Sequence, residues 1–155
     1  MLRFVETSIN DIELELEIIN SNMFFNVISK DKDKLTHEDL LTEITDSIQV
    51  GAERYLIKDK DKSVGVIEFL MKNPNDGFPW LGLLIVKKEF QNKGYGSKSL
   101  NEFYKIMSER KIKAFRIGVL LENEPAHFFW RKHGFIEVTT TMIDNKEIMI
   151  YEKRI

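Results

Sequence analysis

The run Gln91-Asn92-Lys93-Gly94-Tyr95-Gly96 stands between an apolar, strand-like stretch over 80–86 and a helix-like stretch that starts near Ser97. Nothing else in the chain narrows its fold so far. Two glycines around one residue let the backbone come close to a ligand and take dihedral angles that other residues avoid. Set just ahead of a helix, they leave several amide N–H groups without intrahelical partners, all at the positive end of the dipole. A pyrophosphate suits that arrangement. A strand-to-helix turn that merely uses glycine is the competing reading, because short glycine patterns are common.

The 155 residues predict one domain, 1–155, long enough to bury a core without disulfides or metals. A net charge of −2 gives no electrostatic footprint for nucleic acid, which needs a basic stripe. The chain has no cysteine, so disulfides, thiolate metal ligands and a cysteine nucleophile are excluded, and a reducing compartment suits it. No apolar run approaches the ~20 residues of a membrane span, and the N-terminus lacks a signal-peptide plan. The expectation is a soluble, cytoplasmic protein.

Pattern and turn chemistry outline the elements. Residues 2–6 read as a strand. Residues 12–18 are ambiguous: Ile12, Leu14, Leu16 and Ile18 alternate with glutamates at the strand period, yet Ile12, Leu16 and Ile19 share a helical face. Thr36 with Asp39 forms a variant capping box before an apolar stripe of Leu40, Leu41, Ile44 and Ile48. Strands follow at 52–58 and 63–71, joined by the polar turn 59–62, and the turn signal Asn73-Pro74-Asn75-Asp76-Gly77 leads into the strand 80–86. Leu100, Phe103, Tyr104 and Met107 mark a helix over about 96–110, and a strand over 114–121 comes next. Asn123 as N-cap and Pro125 in the first turn start a helix over about 124–133, which Gly134 ends. Strands at 135–142 and 147–153 meet at Asp144-Asn145-Lys146.

The pair of motifs, Gln91-x-x-Gly94-x-Gly96 and then Asn123-x-x-Ala126-x-x-x-Trp130-x-x-x-Gly134-Phe135, resembles the GCN5-related N-acetyltransferase (GNAT) superfamily. The resemblance covers residues 80 to 138. It implies an α/β (α+β) fold with a mixed central sheet and the order β-α-α-β-β-β-α-β-α-β-β, and it decides 12–19 as a helix. It also implies acetyl-CoA as cosubstrate, held where two parallel strands splay apart. On that basis the backbone of Leu84, Ile85 and Val86 is assigned to the pantetheine arm. Gln91, Asn92, Lys93, Gly94, Tyr95, Gly96 and Ser97 are assigned to the pyrophosphate. Asn123 reaches the cofactor arm or simply caps its helix, and Trp130 stands where many members carry tyrosine. Lys93 or Lys98 adds charge near the phosphates, or neither does more than a surface lysine.

The implied reaction is direct attack of an amine on the thioester in a ternary complex. An alkylamine with a pKa near ~10.4 is neutral in fewer than ~0.1% of molecules at pH 7, so a base is needed. Glu68 is the candidate, directly or through a water. Val66, Glu68 and Leu70 alternate onto one strand face, which favours a partly enclosed carboxylate with a raised pKa, and a solvent-facing carboxylate is the alternative. A backbone N–H near Leu84–Val86 is expected to face the thioester oxygen. Indole cannot supply a proton near neutral pH, so Trp130 leaves the departing thiolate to water, to His127, to Tyr104, or to no acid at all.

Phe128, Phe129 and Phe135 are expected in the core. His37, His127 and His133 lack metal-ligand spacing, and no metal is predicted. For the acceptor, Glu13, Glu15, Glu17, Asp76 and Glu89 form either an acidic approach for a cation or ordinary solvated faces. Met23-Phe24-Phe25, between two N-terminal helices, lines a pocket or joins the core, and the same choice holds for Phe78 and Trp80. A small-molecule amine is favoured over a protein acceptor, with no nucleic-acid or membrane partner, and a homodimer is left open. A non-catalytic acyl-CoA sensor or interaction module with this fold is the alternative that Trp130 keeps open. A dinucleotide-binding fold lacks its third glycine, and the Walker pattern lacks the glycine before Lys98.

Overall fold

A computed structural model describes residues Met1–Ile155. Seven strands form one sheet: β1 (Leu2–Glu6), β2 (Glu53–Asp59), β3 (Lys62–Leu70), β4 (Trp80–Val86), β5 (Ala114–Leu120), β6 (Ile136–Ile143) and β7 (Lys146–Arg154). Their order across the sheet is β1-β2-β3-β4-β5-β7-β6, and only β4 and β5 run parallel. Helices α1 (Ile12–Asn20), α2 (Met23–Lys30) and α3 (His37–Gln49) precede β2, while α4 (Tyr95–Glu109) and α5 (Glu124–Lys132) flank β5 in sequence. No helix is long and apolar enough to cross a membrane.

The expected order gains one helix. Met23–Lys30, read as part of a connection, is helical, so three helices separate β1 from β2. Its start carries no side-chain cap, because the Asn22 carboxamide is engaged elsewhere, and the cap signal that marks α3 is missing from the sequence. The capping box at Thr36 and Asp39 forms as read, with both reciprocal bonds present. Of the stripe behind it, Leu40 is fully buried, whereas Ile48 is 67% exposed near the end of α3.

Two cores sandwich the sheet. On one face α4 and α5 pack Leu100, Phe103, Met107 and Trp130 against Ile67, Phe69, Phe115 and Tyr151. On the other, α1 and α3 pack Ile12, Ile18, Ile19 and Leu40 against Leu56, Val66 and Ile85. Residues 12–20 are helical, which moves Glu15 onto the buried side with Ile12, Ile18 and Ile19. It is fully buried and pairs with Arg54 on β2 at 2.8 Å. The reading of Glu15 as part of an acidic approach is therefore corrected. A second correction concerns Phe128, which is 70% exposed, while Phe135 is buried as expected. On α5 the buried positions are His127 and Trp130, and Phe128 falls on the opposite side.

Asp39 makes the α3 cap sensitive to acid. The hydrogen bond from Lys32 (2.5 Å), then the Thr36 N–H (2.8 Å), lower its carboxyl from 3.8 to about 2. A depressed acid contributes stability that is complete above its unfolded value and lost as pH falls through its folded one. Asp39→Asn should thus lower the thermal midpoint by a constant amount above pH 3.8, and the gap from wild type should close towards pH 2. Thermal unfolding of both chains across that range is the measurement.

Candidate acetyl-transfer site

Parallel strands β4 and β5 meet at a single register pair, Trp80 with Arg116, reinforced by the Arg116 N–H to Pro79 O bond of 2.9 Å. Beyond it they diverge. The start of the gap is clamped: Trp80 Nε1 donates to Asp76, Arg116 pairs with Asp76 and Glu152, and the Arg116 guanidinium lies 3.9 Å from the Phe78 ring centroid. Phe78 and Trp80 are therefore spent on this clamp and do not line the cavity. On the β3 side the register slips between Glu68 and Phe69, so Gly82 is the extra residue of a β-bulge.

The ladder decides which backbone groups face the gap. Lys87 N–H bonds Val64 O at 2.7 Å, and the pairing alternates along an antiparallel ladder. With Val66 opposite Ile85 and Ile67 opposite Leu84, Ile85 turns its polar groups to β3, whereas Leu84 and Val86 turn theirs to the gap. Val86 O already accepts from Asn22 Nδ2 (3.1 Å) and Gln91 Nε2 (2.8 Å). Of the three residues assigned to the pantetheine arm, Leu84 is thus the most available.

At the open end, α4 begins. Asn92 and the N-cap Gly94 both take positive φ, 62° and 85°, and Gly94 offers no side-chain cap. The first intrahelical bond beyond it is Lys98 N–H to Gly94 O, so the amides of Tyr95, Gly96 and Ser97 precede the helical ladder. Gly96 has a second reason to be glycine: a Cβ there would stand 3.2 Å from Phe129 Cε1 of α5. The side chains around these amides have other tasks. Gln91 bridges Asn22 and Val86, and Tyr95 donates to Asp59 at 2.6 Å, a bond that raises the phenol's pKa. His133 Nδ1 donates to Phe129 O (2.8 Å), and in the neutral ring Nε2 accepts from Ser97 Oγ (2.9 Å). Lys93 and Lys98 lie over the rings of Phe90 and Tyr95 and pair with no carboxylate.

A cavity of about 910 Å³ joins these pieces. It is lined by Gly82–Val86, Gly94–Ser97, Gly118–Leu120, Asn123, Phe129 and Trp130, together with Met23, Phe24, Phe25, Glu43, Glu68, Asp144 and Ile148. Asn123 Oδ1 caps α5 through Ala126 N–H at 3.3 Å, and its Nδ2 is left for the cavity. Trp130 packs edge-on against Phe129 and Phe135, so it is core and lining at once. His127 is buried between Leu120 O and the Tyr151 hydroxyl, and burial pushes the Tyr104 phenol up to about 12. Neither lines the cavity, so neither proposed proton source reaches it. No cluster of His, Cys, Asp or Glu could hold a metal ion.

Glu68 stands beside the bulge. Its Oε1 accepts from Arg54 Nη1 at 2.8 Å, and Oε2 lies 3.8 Å from where a Cβ on Gly82 would be. Arg54 also binds Glu15 at 2.8 Å and Glu43 at 3.5 Å. Burial pulls the guanidinium's pKa down, but Glu15 and Glu68 outweigh it and hold Arg54 above its ordinary value. No motif in the sequence marks Arg54. It carries little signal there, being the second residue of a strand in which Glu53, Lys58 and Asp59 are also charged.

Residues 17–135 match the Acetyltransferase (GNAT) family. The chain belongs to this family. GNAT acetyltransferases use acetyl-CoA, and the splayed strands with the uncapped helix start fit that molecule here. The fold recurs at low identity in solved structures. An acetyltransferase of Salmonella typhimurium that modifies the N-terminal serine of ribosomal protein L7/L12 is 19% identical, with a TM-score of 0.80 over 99% of this chain and 95% of that one. PaiA N-acetyltransferase of Thermoplasma acidophilum, in complex with coenzyme A, is 23% identical, with a TM-score of 0.69 over 100% and 99%. A mutant of the spermidine N-acetyltransferase SpeG of Vibrio cholerae is 16% identical, with a TM-score of 0.72 over 99% and 93%.

If the contact between Gly96 and Phe129 sets the shape of the helix start, Gly96→Val should weaken coenzyme A binding at least about tenfold, or ~1.4 kcal/mol. Gly96→Ala, which needs Phe129 to yield only a few tenths of an ångström, should lose less. Calorimetric titration of each chain with coenzyme A measures both.

Proposed function

We propose that this GNAT enzyme moves the acetyl group of acetyl-CoA to a primary amine of a small molecule, by direct attack in a ternary complex. The observation that carries the reading is the meeting of Glu68, the Gly82 bulge and the Leu84 backbone in one cavity with the free amides of α4. Acetyl-CoA supplies an acyl thioester open to attack by an amine. The gap-facing Leu84 N–H is placed to hold charge that develops on the acyl oxygen, a role typically worth ~3 kcal/mol. The amides of Tyr95, Gly96 and Ser97 take the diphosphate, and Asn123 Nδ2 the pantetheine arm.

Glu68 receives the amine's proton, directly or through a water. Arg54 fixes one of its oxygens, and Oε2 has no protein donor within hydrogen-bond distance. The acceptor end supports a cationic amine with an apolar portion: the carboxylates of Glu43 and Glu68 share it with Met23, Phe24 and Phe25. Departure of the thiolate relies on water, since His127 and Tyr104 stand away from the cavity and Trp130 carries no labile proton.

Glu68→Gln should lower turnover by about a hundredfold, most at low pH where the amine is protonated. An unchanged pH–rate profile removes Glu68 from the mechanism. Trp130→Tyr should change turnover by less than about tenfold, or ~1.4 kcal/mol in the barrier. Release of free thiol, followed with spermidine, an aminoglycoside-like amine and an N-terminal peptide, measures these effects and the acceptor preference. Fastest turnover with the peptide would overturn the small-molecule reading.

A further inference from the structure

The junction of α1 and α2 is wired to the nucleotide end of the cavity. Asn22 Nδ2 donates to Ile18 O and Val86 O, each at 3.1 Å, and its Oδ1 accepts from Gln91 Nε2 at 2.6 Å. Gln91 Nε2 shares Val86 O at 2.8 Å, so two carboxamides 69 residues apart converge on one carbonyl. Beside them, Ser21 Oγ accepts the Lys88 N–H at 3.0 Å and donates to Ile18 O at 2.6 Å. Lys87 Nζ reaches Glu17 at 2.8 Å. The contacts of Asn22 with Val86 and Gln91, of Ser21 with Lys88 and of Glu17 with Lys87 tie the end of β4 and the segment after it to the end of α1.

On one side of this knot lies Gln91, immediately before the amides assigned to the diphosphate. On the other lies α2, whose first residues, Met23, Phe24 and Phe25, line the same cavity and are the wall proposed above for the acceptor. Helix α2 has eight residues and no side-chain cap, and Met23 and Phe24 are 49% and 55% exposed. Helices this short are marginal in isolation, so the order of α2 depends on what anchors it. Inside α2 the buried Asn26 carboxamide bonds Ile19 O, Asn20 Oδ1 and Asp33 O; at its start Asn22, whose carbonyl accepts the Asn26 N–H at 3.1 Å, is the link through Gln91 to the loop.

We propose that Asn22 and Gln91 are positioning residues that couple nucleotide occupancy at 91–97 to the ordering of α2, so that acetyl-CoA prepares the wall against which the amine binds. The proposal rests on reading 91–97 as the diphosphate site. A bound nucleotide holds Gln91, Gln91 holds Asn22, and Asn22 fixes the first turn of α2. An acceptor then meets a wall already ordered and loses less conformational freedom on binding, which is positive coupling.

Hydrogen exchange on the full chain, with and without coenzyme A, tests this. In the wild type, coenzyme A should slow exchange at 91–97 and also at 23–30, the latter by about fivefold or more. In Asn22→Ala the slowing at 91–97 should persist while that at 23–30 disappears. Gln91→Met cuts the same link from the loop side and serves if Asn22→Ala does not fold. Wild-type protection at 91–97 without any at 23–30, or equal protection of 23–30 in the variants, overturns the coupling and leaves the cofactor reading standing. No protection at 91–97 in the wild type would instead remove the diphosphate site and the coupling together.

Discussion

The divergence of β4 from β5 is the constraint on which the rest of this molecule depends. A parallel pair held at one register position leaves backbone groups without strand partners, and such groups cost free energy when they are buried. The chain confines this cost to a short stretch. At the closed end, Asp76, Trp80 and Arg116 pin the strands together, and at the open end Asn22 and Gln91 saturate Val86 O. Between them, Leu84 keeps its groups towards the opening. The same divergence sets β5 apart from β4 far enough for α4 to present its start to the cavity.

The second organising device is electrostatic. One guanidinium, on Arg54, is shared among the carboxylates of Glu15, Glu43 and Glu68, contributed by α1, α3 and β3. Buried ion pairs are weak evidence for stability, because desolvation offsets much of the attraction. Their geometric effect is firmer here. Arg54 draws two helices and a strand to one point, and leaves Glu68 oriented at the bulge with one oxygen free. Position, rather than stabilisation, is what the network contributes.

Much of this was legible in the sequence, for physical reasons that differ by element. Strands β4 and β5 and helices α3, α4 and α5 announce themselves through caps, glycines and periodic apolar positions. The start of α4 was readable because Gly94 and Gly96 are backbone requirements that leave a residue signature. The alternation of Val66, Glu68 and Leu70 points to a partly enclosed strand face for Glu68, and its side chain is 15% exposed. What escaped depends on contacts distant in sequence. Asn22 leaves no sequence signature, because its carboxamide serves Val86 and Gln91 instead of its own helix. Glu15 looked solvated because the strand-like alternation of 12–18 hid its place beside Ile12 and Ile18. Gln91 is assigned with its neighbours to the pyrophosphate, and nothing in the sequence shows that its side chain is also a strut for the neighbouring strand.

The outermost strand, β6, is exposed along nearly its whole length, with Ile136, Val138, Met142 and Ile143 all open to solvent. A bare, apolar sheet border of that kind invites fibrous stacking of chain upon chain. The register slip between Glu137 and Thr139 bends the border at its apolar end, and Glu137 sets a charge there. A slip of one residue interrupts the row of edge amides at that point and so works against such stacking.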